Sequence, residues 1–154
     1  MDIERILYKI KTAKDQDINL HLLECDDNFV PPLSQRIVIA DYSTKLFNKS
    51  ITFEAWSEQK LIGLIATYFD RGFSSSAFIT NVSVNKAYGS RGIASSLLAM
   101  CIDYARRNDT KELKLEVNVK NFQAISFYKK FAFVIEKNRN TIVKMKLKLT
   151  HEVS

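Results

Sequence analysis

Apolar positions along the chain fall into two rhythms, and each predicts a different element. A period near 3.6 over residues 91–107 puts Ile93, Ala94, Leu97, Leu98, Cys101, Ile102 and Ala105 on one stripe of an amphipathic helix. Arg106 and Arg107 suit the negative end of that helix's dipole. A second helix runs over 122–131, and a short one over 15–25 through Ile18, Leu22 and Cys25. The paired prolines Pro31 and Pro32 make 26–32 a loop, after which Ser34 caps a further helix to about Phe47. Strand-like runs occupy 5–12 (where Ile3, Ile6, Leu7 and Ile10 also fit a helix), 51–57, 60–69, 77–84 and 113–119, with two closing strands near 132–137 and 141–149. A short polar turn joins 51–57 to 60–69 as an antiparallel hairpin. Within 77–84 the apolar phase sits on Ala77 and Ile79, then on Val82 and Val84, a shift that predicts a bulge near Asn81. Strand, helix, strand, helix in the second half predicts an α/β (α+β) layer with a parallel crossover.

Composition narrows the classes. At 154 residues the chain is expected to be a single domain, 1–154, large enough for its own core. Apolar residues make up 46%, which argues for a globular chain rather than a disordered one. No stretch approaches the roughly 18 apolar residues of a membrane span, and the N-terminal MDIERILYKIK lacks a signal-peptide core. The expectation is a cytoplasmic protein with no membrane partner. Two cysteines and two histidines are too scattered for a zinc site, so no metal is expected, and Cys25 and Cys101 read as reduced core residues. The formal charge of +6 suits a polyanionic ligand, but no basic run or aromatic–basic stacking pattern points to nucleic acid.

Chemistry concentrates at two places. Val82-Ser83-Val84 leads through a polar loop into Gly89-Ser90-Arg91-Gly92-Ile93-Ala94, the start of the long helix. A helix start offers unpaired N–H groups and a positive dipole end to phosphate, and Gly92 lets a ligand reach the backbone. It is neither a P-loop nor a dinucleotide fingerprint, because the Lys-Ser/Thr and the third glycine are missing. Taken alone it is equally a plain capped turn. The second place is LEVNVKNFQAISFYKKFAF, where Glu116 interrupts an apolar strand, Asn121 precedes a helix and Tyr128 lies on it. A carboxylate in a central strand is costly unless solvated, paired or functional.

The run VSVNKAYGSRGIASSLL resembles the [Q/R]-x-x-G-x-[G/A] loop of the GNAT acetyltransferase superfamily, with Gly89 in place of the usual Gln or Arg. The second segment resembles the same family's L-E-V…N…A-x-x-[F/L]-Y-x-x-x-G-F signature, with Ala132 where glycine usually stands. The resemblance implies a strongly bent mixed sheet of about seven strands flanked by about four helices, splayed between its fourth and fifth strands. It implies acetyl-CoA as co-substrate, bound by a core over about 76–135. Val82, Ser83 and Val84 would face the pantetheine, while Ser90, Arg91, Gly92, Ile93, Ala94 and Ser95 would hold the pyrophosphate. Asn121 would touch the thioester region, or serve only as an N-cap. Glu116 would be the proton acceptor, or a structural, ion-paired glutamate. Tyr128 would be the general acid, or a core aromatic.

Acceptor specificity would come from about 13–50 and the 70–75 loop, and Asp26 and Asp27 are either amine-attracting or merely solvated. The expected partner is a small-molecule or peptide acceptor, with a silent CoA-binding sensor as the alternative. Assembly as a monomer or a homodimer stays open.

Overall fold

The computed structural model describes residues 5–70 and 75–149. Among these residues, seven strands form one sheet in the order β1-β2-β3-β4-β5-β7-β6. They are β1 (Leu7–Ile10), β2 (Ile51–Ser57), β3 (Lys60–Phe69), β4 (Ser76–Val84), β5 (Glu112–Asn118), β6 (Val134–Arg139) and β7 (Ile142–Lys148). Every neighbouring pair is antiparallel except β4–β5. The helices are α1 (Asp15–Cys25), α2 (Ile39–Lys49), α3 (Ile93–Arg107) and α4 (Phe122–Lys130). The crossover β4–α3–β5 is the one the periodicity predicts.

Two apolar clusters hold helices to opposite faces of the sheet. The stripe of α3 and Tyr128 of α4 pack with Ile62, Ile65, Leu113, Leu115 and Val117 on one face. Ile18 and Leu22 of α1 and Leu46 of α2 pack with Trp56, Leu64 and Ala66 on the other. Gly63 is where α3 comes closest to the sheet. A Cβ there would sit 2.9 Å from Ile93 Cγ2 and 3.2 Å from Leu97 Cδ1, so any side chain would push the helix away.

The predicted bulge is real. Ala66 pairs with Asn81 and Thr67 with Ile79, leaving Thr80 as the extra residue of β4. That residue explains the phase shift. Ala77 and Ile79 before it, and Val82 and Val84 after it, all pack on the α3 cluster. Asn81 and Ser83 are turned the other way and are buried.

One predicted boundary is corrected. The helix expected from Ser34 begins at Ile39. The Asp26 carboxylate accepts both the Ser34 N–H at 2.7 Å and the Ser34 hydroxyl at 2.6 Å. Those bonds hold Ser34 in a 3₁₀ turn over Leu33–Gln35, and Val38 is extended immediately before the helix. The first strand is also shorter than the expected 5–12, because Lys11 turns to positive φ and the Thr12 N–H leaves the sheet for Glu54. Residues 71–74 of the loop expected to help choose the acceptor lie outside the described residues.

Candidate active site

Strands β4 and β5 are paired only from Ser76↔Glu112 to Ile79↔Leu115. Beyond that point the Thr80 bulge bends β4 away, and the inner edges of Thr80–Val84 and Glu116–Asn118 carry no ladder between them. Backbone donors and acceptors left open along two facing edges make a slot for an extended ligand, as an added strand would use. A cleft of about 500 Å³ fills the divergence. Its floor is Ile79, Leu115 and Val117, and one wall is Ala124, Phe127 and Tyr128 of α4. The opposite wall comes from the α1–α2 connection and α2, through Phe29, Leu33, Arg36 and Tyr42.

Of the residues singled out in the sequence, Val82, Ala94, Glu116, Asn121 and Tyr128 line this cleft together. Ser83 does not, since its hydroxyl is buried on the far side of β4, 2.9 Å from His21 Nε2 and donating to Asn81 Oδ1 at 2.8 Å. Only its backbone is available to the slot. The Val84 carbonyl accepts a long 3.4 Å bond from Asn28 Nδ2. Ser90, Arg91, Gly92, Ile93 and Ser95 form the turn and first residues of α3, outside the cleft lining.

That turn is built for exposed backbone. Gly92 is the residue before α3 at φ 73°, in the left-handed region, and a Cβ there would meet nothing within 4 Å. The space above it is open, and Ser90 is also left-handed at φ 63°. Successive backbone turns of this kind aim N–H groups outward at an anion. Arg91 lies over the Tyr88 ring at 5.2 Å. Gly89 has an ordinary φ of −64°, and its Cβ position is 3.4 Å from the Lys86 carbonyl. Nothing in the backbone requires glycine there, so the departure from the usual Gln or Arg leaves the turn intact.

Glu116 leaves the face of the sheet opposite Leu115 and Val117, since strand side chains alternate. That is the face of α1 and α2, because its row continues through Lys114, Phe78 and Tyr68 to their cluster. Its side chain is 42% exposed and touches Lys144 Nζ only at 3.7 Å, so the carboxylate is solvated at the cleft edge. Tyr128 approaches from the other face, 8% exposed within the α3–α4 core and ringed by Phe127 and Phe133. Burial pushes its phenol pKa well above the usual value. Asn121 caps α4 by accepting the Ala124 N–H at 3.2 Å on Oδ1, and it lines the cleft as well.

Sequence reasoning missed Tyr42. Its hydroxyl donates to the Thr80 carbonyl at 3.0 Å and lies 2.9 Å from Thr80 Oγ1, tying α2 to the bulge. The signal was there: Tyr42 continues the Ile39–Ser43–Leu46 stripe, so its hydroxyl had to end beneath the sheet. The aspartates have other work. Asp26 holds Ser34, which keeps its pKa below the ordinary carboxylate range, and neither Asp26 nor Asp27 lines the cleft. Cys25 and Cys101 are buried and unpaired, with burial raising each thiol to about 12. Among the described residues no group of three or more His, Cys, Asp or Glu is placed to hold a metal. No helix among them is long and apolar enough to cross a membrane.

A bent sheet opened between a bulged fourth strand and the fifth, with a glycine turn on the following helix, defines the class. Residues 16–133 match the model of the Acetyltransferase (GNAT) family, and the chain belongs to that family. N-alpha-acetyltransferase 30 of Schizosaccharomyces pombe (strain 972 / ATCC 24843) is 30% identical over 84 residues, which are 53% of this chain and 56% of that protein. The match therefore spans about half the length of that curated relative. Among solved structures, the fold is similar to the PaiA N-acetyltransferase from Thermoplasma acidophilum in complex with coenzyme A. That similarity has a TM-score of 0.74 at 17% identity, covering 93% of this chain and 99% of that one. It is also similar to the ribosomal-protein-S18-alanine N-acetyltransferase from Escherichia coli. There the TM-score is 0.77 at 17% identity, covering 96% and 97%.

Proposed function

We propose that this protein is a cytoplasmic, single-domain acetyltransferase that moves the acetyl group of acetyl-CoA to an amine in one ternary complex. The acceptor is a small molecule, an amino sugar or a peptide N-terminus. The observation that carries this reading is the unpaired divergence of β4 and β5, entered by Glu116 from one face of the sheet and Tyr128 from the other. Acetyl-CoA supplies an activated acyl group. Backbone groups of Val82, Ser83 and Val84 pair with its pantetheine arm, and one N–H there donates to the thioester oxygen. The turn from Ser90 through Ser95 takes the pyrophosphate, and Asn121 sits beside the thioester end.

Amine acetylation requires a neutral nucleophile and a protonated leaving thiolate. Glu116, solvated yet at the cleft edge, accepts the amine proton directly or through water. Tyr128 holds its proton at neutral pH because burial disfavours phenolate. Sulfur in the same low-dielectric wall is subject to the same penalty as a thiolate. A buried phenol thereby remains a competent donor to it.

Acetyl-CoA binding to the Gly92 turn is checked by calorimetry on wild type and Gly92→Val. The wild type binds and gains melting temperature in saturating acetyl-CoA. Valine at φ 73° is strained by about 1–2 kcal/mol and projects into the open space above the turn, so affinity falls at least about tenfold. A wild type that gives no binding heat at millimolar acetyl-CoA overturns the reading.

A further inference from the structure

The residues lining the cleft carry one formal negative charge, Glu116, and one formal positive charge, Arg36. They come from opposite sides. Glu116 projects from β5, whereas Arg36 lies in the α1–α2 connection that forms the facing wall. Arg36 is close enough to act on the Tyr42 phenol, and Tyr42 is bonded to the Thr80 bulge. Arg36 and Tyr42 thus belong to the same side of the cleft, formed by the α1–α2 connection and α2.

Four lysines of the sheet are ion-paired. Lys144 is committed to Glu116, Lys114 to Glu112, Lys146 to Glu136 and Lys60 to Glu24. None of those four lines the large cleft. Arg36 is exposed, its backbone N–H donates to the Leu33 carbonyl, and its guanidinium has no hydrogen bond or ion pair with any of the described residues. Among the described residues no carboxylate is ion-paired with it: Asp41 and Asp27, the two nearest in sequence, make no ion pair to it, Asp26 is held by Ser34 and Asp15 by Ser43 and Thr44. A cleft meant for a polyamine would show carboxylates on this wall. This wall shows a planar five-donor cation instead, the side chain that matches a carboxylate or phosphate in geometry.

We propose that Arg36 binds an anionic group of the acceptor, so that the amine acetylated here belongs to a molecule that also carries a carboxylate or a phosphate. The inference rests on the acetyl-transfer reading above for which end of the molecule reacts. The amine lies toward Glu116 and the anion toward Arg36. Asn28 and Phe29, which line the same cleft, add an amide and an apolar surface for the connecting carbons.

Matched pairs of amines test it, followed by thiol release from acetyl-CoA and by calorimetry on the CoA-loaded protein. The pairs are 4-aminobutyrate with n-butylamine, glucosamine 6-phosphate with glucosamine, and a tripeptide amide with aspartate or asparagine in second place. They separate a simple carboxylate, a phosphate and a peptide side chain as sources of the charge. In at least one pair the anionic member is favoured about 10- to 100-fold, the range of a charge-assisted contact. Arg36→Gln removes that preference, Arg36→Glu inverts it and Arg36→Lys retains part of it. Equal treatment of all pairs by the wild type, no binding of any anionic member, or a preference that survives Arg36→Gln overturns the proposal. So does a loss confined to acetyl-CoA affinity, which would make Arg36 a cofactor contact. Arg36-dependent binding of an anionic member without thiol release leaves the anion site standing and sinks the transfer reading instead.

Discussion

Glu54 and Glu116 both sit within inner strands of this sheet, and their surroundings differ in every respect that matters. Glu54 on β2 is fully buried, yet each of its oxygens is occupied. It accepts from the Thr12 N–H and hydroxyl, the Ala13 N–H, the Thr52 hydroxyl and Trp56 Nε1, at 2.5 to 3.3 Å. Lys11 provides the nearby positive charge, while burial outweighs Glu54 in lowering the Lys11 pKa. Glu116 on β5 is half-exposed and has one ion pair, at 3.7 Å. A carboxylate with every lone pair committed fastens β1 and the start of α1 to the sheet and cannot exchange a proton without breaking them. A carboxylate with spare lone pairs, wet and on a cleft, can. Burial of an acidic residue in a strand therefore does not mark a catalytic base. The base role proposed for Glu116 rests instead on its incomplete satisfaction at the cleft edge.

The same nearly isosteric substitution at both positions tests that distinction. Glu54→Gln replaces an acceptor oxygen with a donor in a shell made entirely of donors. Buried donors left unsatisfied cost about 1–3 kcal/mol each, so two of them should remove about 4 kcal/mol of stability and about 10 °C of melting temperature. Denaturant unfolding of the purified variant measures this. A loss under about 1 kcal/mol would mean the shell rearranges and Glu54 is not the fastener described.

Glu116→Gln should behave in the opposite way. Stability is expected to stay within about 0.5 kcal/mol, as for an exposed position without special contacts. The kcat/KM for amine acetylation should fall about 100-fold at pH 7, with acetyl-CoA affinity retained. The deficit should shrink at high pH, where the amine is neutral without help. Wild-type activity at pH 7 would give the base role to ordered water.

The legible parts of this molecule were those written in periodicity. The α3 stripe, the hairpin of β2 and β3 and the phase shift near Asn81 are local patterns that the fold preserves, and the bulge behind that shift lies where the cleft opens. Glu54 was not legible, because ITFEAWS reads as an alternating strand and the shell around Glu54 is completed by Thr12 and Ala13, some forty residues away. The start of α2 failed for a similar reason. A serine after two prolines is a sound local cap, but a carboxylate eight residues earlier had already claimed it. Ala132 shows a residual tension of the other kind. It takes φ 73° where glycine is usual, with its N–H on the Lys129 carbonyl and that of Phe133 on Tyr128. The turn that presents Tyr128 is thus kept despite a strained residue.

The smallest effect expected concerns a third ionisable group, His21, which is sealed like Glu54 but kept neutral. It is 1% exposed on α1, with Nε2 2.9 Å from Ser83 Oγ and Cys25 Sγ 3.7 Å away. Burial lowers its pKa from 6.5 to about 4, against smaller opposing contributions from the Leu61 backbone and Glu24. The unfolded chain therefore binds a proton between pH 6.5 and 4 that the folded protein refuses. Stability is complete above about pH 6.5 and is lost as the pH falls toward 4. At pH 5 the loss should be about 2 kcal/mol relative to pH 7.5. Asp15 and Asp26 do not obscure this window, because both have pKa values lowered from 3.8 and their contributions disappear only in stronger acid. Glutamine at position 21 can still hydrogen-bond Ser83 but takes up no proton. Urea unfolding at pH 7.5 and pH 5 should show the 2 kcal/mol slope in wild type and little of it in His21→Gln. A flat wild-type profile would mean that the layer beneath β4 admits water and a charge. That part of the slot's support would then resemble the open rim at Glu116 rather than the closed shell at Glu54.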